Sequence, residues 1–189
     1  EDYKNLKKKY YSIERLINEN KFYKSENQRL KKLIDDKNIY SNEFLLSKVL
    51  LDQQSPYLKS VIINRGFNHG ITLGLAVKEK SYFVGKIINV NFLTSRILLA
   101  SDLNSKIPVI IEPAGANAIL SGQGHNNYAE LEYLPKLKKI KEGDIVYTSG
   151  VDGIIQGAIP VGKIFRNNEK LFVEFFVDFN QLKYVRVNN

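Results

Sequence analysis

The sequence has no cysteine, no methionine and no tryptophan among its 189 residues. Without cysteine, disulfides, thiolate metal sites and cysteine nucleophiles are excluded. No apolar run approaches the roughly 18–20 residues that a membrane-spanning helix needs. The lack of a first methionine predicts a fragment or a processed form, so we expect any membrane anchor to lie upstream of the residues given.

Histidine is scarce as well, since the two histidines, His69 and His125, each lie in a turn rich in glycine and asparagine. A serine-hydrolase triad could be assembled from His69, Asp102 and Ser149. However, Ser149 lacks the Gly-x-Ser-x-Gly context of a nucleophile elbow. The sequence also has no clustered metal ligands and no Gly-Lys-Ser/Thr phosphate loop. It therefore predicts no catalytic residue, no metal site, no cofactor and no enzyme.

Basic residues outnumber acidic ones by 28 to 20, which gives a formal net charge of +8. The excess is spread evenly, with 11 basic and 7 acidic residues in positions 1–40 and 17 against 13 in the rest. The lysine-rich run at 136–141 lacks the interleaved aromatic residues of a nucleic-acid platform. We expect no nucleic-acid partner; the alternative, a basic nucleic-acid-binding barrel protein, predicts binding that weakens steeply with salt.

Residues 4–37 contain neither glycine nor proline and repeat apolar residues at spacings of three and four. This heptad pattern predicts one long helix that pairs with a second copy as a parallel coiled coil. Asparagine at a core position costs stability but fixes register when it faces another asparagine. The alternative is an amphipathic helix that packs on its own domain. The predicted coil seam consists of Leu6, Ile13, Leu16, Asn20, Tyr23, Asn27, Leu30 and Ile34.

From Phe44 onwards the apolar period shortens towards two and turn residues recur, a pattern typical of a β-rich body. Two glycine-rich units, at 64–87 and 140–164, both end in Val-Gly-Lys-Ile and indicate one small β unit used twice. Twelve short predicted strands without a second long helix favour two small six-stranded barrels. The predicted domains are residues 1–40, 41–127 and 128–189, unless the barrels exchange strands.

The segment 171–179 is predicted to be a strand with apolar residues on both faces. Its second face alternates Phe172 and Phe176 with Glu174 and Asp178. Either another segment of the chain covers the two phenylalanines, or they form an exposed patch that binds a partner. These four residues are the candidate partner-binding residues.

Several glycine-containing blocks resemble the rod shape-determining MreC family in their order and spacing along essentially the whole chain. The most specific are Gly-Asp-Ile-Val-Tyr-Thr-Ser-Gly at 143–150 and Pro-Val-Gly at 160–162. The sequence departs from the family pattern at 156–158, where Gln-Gly-Ala stands in place of the usual Pro-x-Gly. Further matching blocks lie at 66–71, 74–77, 84–87 and 95–102.

The resemblance implies a mainly β fold in which a coiled-coil helix precedes two barrels, arranged as in trypsin but without its catalytic residues. It implies a position on the periplasmic side of the cytoplasmic membrane, anchored by an N-terminal transmembrane helix absent from this sequence. The implied partners are a class B penicillin-binding transpeptidase, MreD, indirectly MreB, and further copies of the chain in a homodimer or filament.

The expected function is therefore a non-catalytic scaffold of the cell-elongation machinery. Such a scaffold maintains rod shape and binds and activates the transpeptidase during peptidoglycan synthesis. A periplasmic adaptor of an envelope complex is an alternative interpretation. That architecture needs two long antiparallel helical stretches, and this chain offers one.

Overall fold

The computed structural model describes residues 2–33, 44–50, 59–124, 127–135, 140–167 and 170–188. Within these ranges the chain forms one α-helix, one 3-10 turn and twelve strands. Residues 1–40 and 41–189 are two compact units. The helices in the described ranges include none that is both long and apolar enough to cross a membrane. The strands are β1 (Phe44–Leu50), β2 (Ser60–Ile63), β3 (Ala76–Glu79), β4 (Tyr82–Val90), β5 (Ser95–Leu99), β6 (Lys106–Glu112), β7 (Ala116–Gly122), β8 (Tyr128–Glu132), β9 (Ile145–Thr148), β10 (Pro160–Asn167), β11 (Lys170–Phe175) and β12 (Tyr184–Asn188).

The first unit consists of helix α1, Asp2–Leu33. Its sequence is rich in lysine, glutamate and leucine, which lose little side-chain freedom in a helix. Arg15 Nε donates to Glu19 Oε1 at 2.8 Å, one turn further along. This spacing of four residues brings opposite charges together on one face of the helix.

The second unit contains two closed barrels of six antiparallel strands each. Their strand orders are β1-β12-β3-β4-β5-β2 and β10-β11-β8-β7-β6-β9. Closure pairs every strand on both sides, so neither barrel offers a free sheet edge. The predicted fold, a helix followed by two six-stranded barrels in a mainly β chain, is confirmed.

The first barrel is not one continuous segment of the chain, because the second barrel, β6 to β11, is inserted into it. β6 and β7 precede residue 127 but belong to the second barrel, and β12 returns from the end of the chain to close the first. The predicted division into 41–127 and 128–189 therefore does not follow strand membership. The strand exchange that the sequence left open is the reason: the chain crosses to the second barrel after β5 and comes back after β11.

The two Val-Gly-Lys-Ile elements occupy matching places, one in β4 and one in β10. A β-carbon at Gly85 would lie 2.0 Å from the carbonyl oxygen of Leu98 on the next strand, β5. At Gly162 it would lie 2.2 Å from the carbonyl oxygen of Glu174 on β11. Only glycine therefore permits the strand spacing at these two points.

The hydrogen bonds around these elements repeat as well. Gly74 N–H donates to the carbonyl of Ile87 at 2.9 Å, and Gly143 N–H donates to that of Ile164 at 2.8 Å. Both glycines have a positive φ, 86° and 88°. The repeated sequence thus encodes a repeated local structure, because each unit needs glycine at the left-handed turn and at the close strand approach.

The interiors of the two barrels form one continuous apolar core. It consists mainly of β-branched residues and leucines, which suit a pleated, buried surface. Phe83 is its largest fully buried side chain. The members with the lowest exposure include Ile63, Val77, Val84, Ile97, Ile107, Val109, Ile111, Leu120, Val146, Val161 and Val173.

Strand β11 ends at Phe175, four residues before the predicted end at 179. Asp178 Oδ1 accepts a hydrogen bond from Asn180 N–H at 3.0 Å and begins a turn. Val177 and Phe179 are nevertheless buried. The alternating pattern therefore continues past the strand, because the turn residues also pack into the core.

Candidate partner-binding surfaces

The predicted coil seam lies on α1, where its apolar members are open to solvent. Leu6, Ile13, Leu16 and Tyr23 are each 55–68% exposed. Asn20 is exposed in the same row. A row of large apolar side chains at coiled-coil spacing is typical of a helix that pairs with another helix. The side chains of Asn27 and Leu30, and all of Ile34, lie outside the described residues.

A cluster of three aromatic rings lies on the outer face of the second barrel, on β8, β10 and β11. The rings of Phe165 and Phe172 stack with centroids 5.6 Å apart. Tyr128 meets Phe172 edge-on at 5.6 Å and Phe165 edge-on at 6.1 Å. All three side chains are half-buried. Aromatic pairs at these distances add roughly 0.5–1.5 kcal/mol beyond their area burial. We call these three residues the aromatic cluster.

Ion pairs border the aromatic cluster. Lys163 Nζ lies 2.9 Å from Glu174 Oε2. Lys170 Nζ lies 3.6 Å from Glu130 Oε1. Exposed pairs of this kind contribute little stability. An apolar centre with a charged border is the usual anatomy of a protein interface.

The four candidate partner-binding residues do not lie on one surface in the structure. Phe172 and Glu174 lie on the outer face of β11, within and beside the aromatic cluster. Phe176 lies past the end of β11, where its ring contacts that of Tyr82 on the first barrel at 5.0 Å. Asp178 holds the turn described above. Rings of the same chain therefore cover part of each phenylalanine, and both side chains are half-buried.

The sequence analysis missed Tyr128 and Phe165, the other two members of the aromatic cluster. Both occupy outward positions of correctly placed strands. Their association depends on the register that sets Phe172 opposite Phe165 on one side and opposite Glu130 on the other. Sequence alternation identifies such faces but does not identify which strands are neighbours.

A charged group joins three strands elsewhere on the second barrel. Lys106 Nζ donates to Ser121 Oγ at 2.7 Å and to Glu132 Oε1. The hydrogen bond from Lys106 holds the pKa of the Glu132 carboxyl below its ordinary value, and one from Ser121 acts in the same direction. The three side chains connect β6, β7 and β8 across the outside of the sheet.

The three residues of the possible serine-hydrolase triad, His69, Asp102 and Ser149, each accept hydrogen bonds from backbone N–H groups. His69 Nδ1 accepts from Gly66 N–H at 3.2 Å. Ser149 Oγ accepts from Val151 N–H at 3.3 Å. Asp102 is buried, and its carboxylate accepts hydrogen bonds from the backbone N–H groups of Lys59 and Asn104. Within the described ranges, no three histidine, aspartate or glutamate side chains come together as metal ligands would.

Comparison with known proteins agrees with the resemblance seen in the sequence. The family profile described as rod shape-determining protein MreC, barrel core, matches residues 49–189. The cell shape-determining protein MreC of Cereibacter sphaeroides is 34% identical over 132 residues, which cover 69% of this chain and 44% of that protein. The chain thus spans less than half the length of the curated relatives that it matches first.

Solved structures share the fold. The crystal structure of MreC from Pseudomonas aeruginosa superposes with a TM-score of 0.70 at 26% identity, covering 77% of this chain and 99% of the other. A more distant neighbour is part of a complex between penicillin-binding protein PBP2 and MreC from Helicobacter pylori. It superposes with a TM-score of 0.54 at 13% identity and covers 78% of this chain and 99% of the other.

Proposed function

This chain belongs to the MreC family of rod shape-determining proteins, and on that basis we propose that it is a non-catalytic scaffold that binds a class B penicillin-binding transpeptidase. The Helicobacter pylori complex with PBP2 supports this class of partner. The aromatic cluster on the second barrel supports a binding role for this region. Binding would place the transpeptidase in the cell-elongation machinery and activate it for peptidoglycan synthesis.

The observation that carries the proposal is the aromatic cluster with its border of ion pairs. Interface hot spots are enriched in tyrosine and other large aromatic residues that a partner can desolvate completely. Phe172 lies between Phe165 and Tyr128 and is held by both rings. A side chain held in this way loses little conformational freedom when a partner covers it. The transpeptidase would therefore bury Phe172 at the centre of the contact.

The exposed seam on α1 supports dimerisation of the scaffold. A parallel coil would bury Ile13, Leu16 and Tyr23 against their copies and face Asn20 with its own copy. With 32 residues in α1, the coil would extend on the order of 50 Å at about 1.5 Å per residue. Two copies joined this way would present two second barrels, so a paired partner would gain effective concentration.

Membership of the family also implies a cellular location and further partners. The chain would act on the periplasmic side of the cytoplasmic membrane, anchored by a helix upstream of the residues given. MreD would be a direct partner and MreB an indirect one. The barrel body would then link these partners to the transpeptidase.

Phe172→Ser should weaken binding of the transpeptidase at least tenfold. Loss of a central aromatic residue typically costs about 2 kcal/mol or more at an interface. Surface plasmon resonance with the membrane-free part of the class B transpeptidase from the same cell measures the change. Phe176→Ser serves as a second variant, because that ring packs against Tyr82 at the barrel junction and should affect binding less.

Tyr133→Ser is the matched control for an exposed aromatic residue. Tyr133 is 83% exposed and lies outside the aromatic cluster. Its loss should leave the affinity unchanged. Full affinity in a folded Phe172→Ser variant, or equal losses in Phe172→Ser and Tyr133→Ser, would count against the aromatic cluster as the binding surface. No binding by the unchanged chain would count against the proposed function itself.

Asn20→Leu/Asn27→Leu should change the association state of the chain. Two leucines in place of the asparagines remove the polar contact that fixes register and strand number, so higher or mixed oligomers should form. Sedimentation velocity measures the result. Asn18→Leu/Ser25→Leu is the matched control, since both positions have the same seven-residue spacing on the opposite side of the heptad. Identical profiles for the two double variants would leave the coil seam without support.

A further inference from the structure

Strand β1 of the first barrel packs Leu45 and Val49 against the core but also carries large apolar residues on its outer face. Phe44 and Leu46 point outwards and are 52% and 54% exposed. Ser47 points inwards and is 1% exposed. The Ser47 hydroxyl donates to the carbonyl of Leu45 at 3.4 Å, whereas the two large apolar side chains outside form an exposed patch of the kind that marks interaction sites. The outward side chains therefore call for an explanation beyond the core.

The neighbouring strands extend this surface. Pairing sets Leu46 opposite Arg186 on β12, and Arg186 opposite Lys78 on β3. The Arg186 guanidinium lies 4.6 Å from the centroid of the Phe44 ring. Tyr184 on β12 is 53% exposed and pairs with Lys48 on β1. We call these six residues, Phe44, Leu46, Lys48, Lys78, Tyr184 and Arg186, the β1–β12 face.

The three cations of the β1–β12 face have no acidic partner in the described part of the chain. None of the three cations takes part in the ion pairs Arg15–Glu19, Lys106–Glu132, Lys163–Glu174 and Lys170–Glu130, which lie on α1 or on the second barrel. Partial burial lowers the pKa of the Lys78 ammonium, and the charge of Arg186 lowers it further. Two like charges held side by side gain most from one anionic group placed between them.

We propose that the β1–β12 face binds an acidic segment of a partner protein that also carries apolar side chains. Arginine, tyrosine and phenylalanine are the residue types enriched at protein interfaces. Because the first barrel is closed, a partner cannot add a strand and must bind through side chains. Carboxylates would pair with Lys78 and Arg186 while apolar side chains cover Phe44 and Leu46.

A second copy of this chain is a poor occupant for the same surface. The chain has a net charge of +8. On the second barrel, Glu130, Glu132 and Glu174 already pair with lysines. A different, acidic protein segment therefore fits the charge better. This inference does not depend on the transpeptidase proposal, because the face lies on the first barrel and the aromatic cluster lies on the second.

A random library of 12-residue peptides displayed on phage, selected on the whole chain, tests the inference. Selected peptides should be enriched in aspartate and glutamate together with leucine or aromatic residues. Synthetic copies should lose at least tenfold in affinity for Lys78→Glu/Arg186→Glu, measured by fluorescence polarisation. They should also bind Leu46→Ser more weakly, since that change removes an apolar contact without altering charge.

Arg166→Glu/Lys141→Glu is the matched control, because it reverses two exposed cations outside the face. Its affinity should equal that of the unchanged chain, and circular dichroism confirms that each variant is folded. Selected peptides without acidic enrichment, or with equal affinity for both charge-reversed variants, would overturn the inference. Phosphatidylglycerol vesicles that bind through Lys78 and Arg186 would also overturn it and assign a lipid surface. A change in sedimenting mass caused by Arg186→Glu alone would assign a second copy.

Discussion

Gly85→Ala and Gly162→Ala should each lower the free energy of unfolding by on the order of 3 kcal/mol. The added methyl group would lie 2.0 Å from the carbonyl oxygen of Leu98 in one case and 2.2 Å from that of Glu174 in the other. The obstacle is backbone rather than a flexible side chain, so paired strands must separate and lose ladder hydrogen bonds. Urea unfolding followed by circular dichroism measures the loss through the transition midpoint.

Gly153→Ala separates this effect from the ordinary cost of replacing glycine. Gly153 has a φ of 65°, and a β-carbon there would have no neighbour within 4 Å. Its substitution should cost only about 1 kcal/mol, the penalty of a left-handed backbone. If Gly162→Ala lowered the free energy of unfolding no more than Gly153→Ala does, the strands at Gly162 would not lie as close together as described. Because the two barrels share one apolar core, both Gly85→Ala and Gly162→Ala should still unfold in a single transition.

Asp102→Ala should be similarly costly, by about 3 kcal/mol. The buried Asp102 carboxylate accepts hydrogen bonds from Lys59 N–H at 2.6 Å and from Asn104 N–H at 2.7 Å. Hydrogen bonds to a charged acceptor are worth about 1.5–3 kcal/mol each, and alanine removes both of them. This side chain ties the segment where the chain crosses between barrels to the residue before β2. Urea unfolding measures the change, and amide exchange at Asn104 should accelerate.

Asp152→Ala is the control for an aspartate that supports an exposed turn. Asp152 Oδ1 accepts from Ile154 N–H and Ile155 N–H at 3.2 Å and 3.1 Å. Its loss should cost about 1 kcal/mol, because water can replace it. Equal losses for Asp102→Ala and Asp152→Ala would mean that burial of Asp102 contributes nothing. Asp102→Asn should fall between, since the amide keeps one acceptor oxygen.

The sequence was sufficient to predict one long helix followed by twelve short strands. Local signals carry that information: the heptad spacing of α1, the alternation of buried and exposed residues, and glycines at the turns. The Val-Gly-Lys-Ile repeat was informative because both copies obey the same constraint at Gly85 and Gly162. The end of β11 was predicted four residues too late, since Val177 and Phe179 remain buried within a turn.

Pairing between distant strands could not be predicted in the same way. Neither β12 nor β6 carries a local sign of the barrel to which it belongs, so the domain limits were drawn in the wrong place. The aromatic cluster was missed for the same reason, because the pairing of β8, β10 and β11 brings Tyr128 and Phe165 next to Phe172. The β1–β12 face was missed as well, since it depends on the pairing of β1, β12 and β3. In sequence, Phe-Leu-Leu-Ser-Lys-Val-Leu is a nearly continuous apolar run with no indication of which side faces solvent.

The return of β12 to the first barrel bears on the order of events during synthesis. Phe44 pairs with Asn188, so the first barrel cannot close until almost the whole described chain has left the ribosome. Until then β1 and β3 expose unpaired backbone, which is prone to wrong pairing with other chains. The second barrel, built from β6 to β11, is complete before β12 emerges and can close earlier. A nascent chain of this kind would depend on protection by chaperones until its last strand arrives.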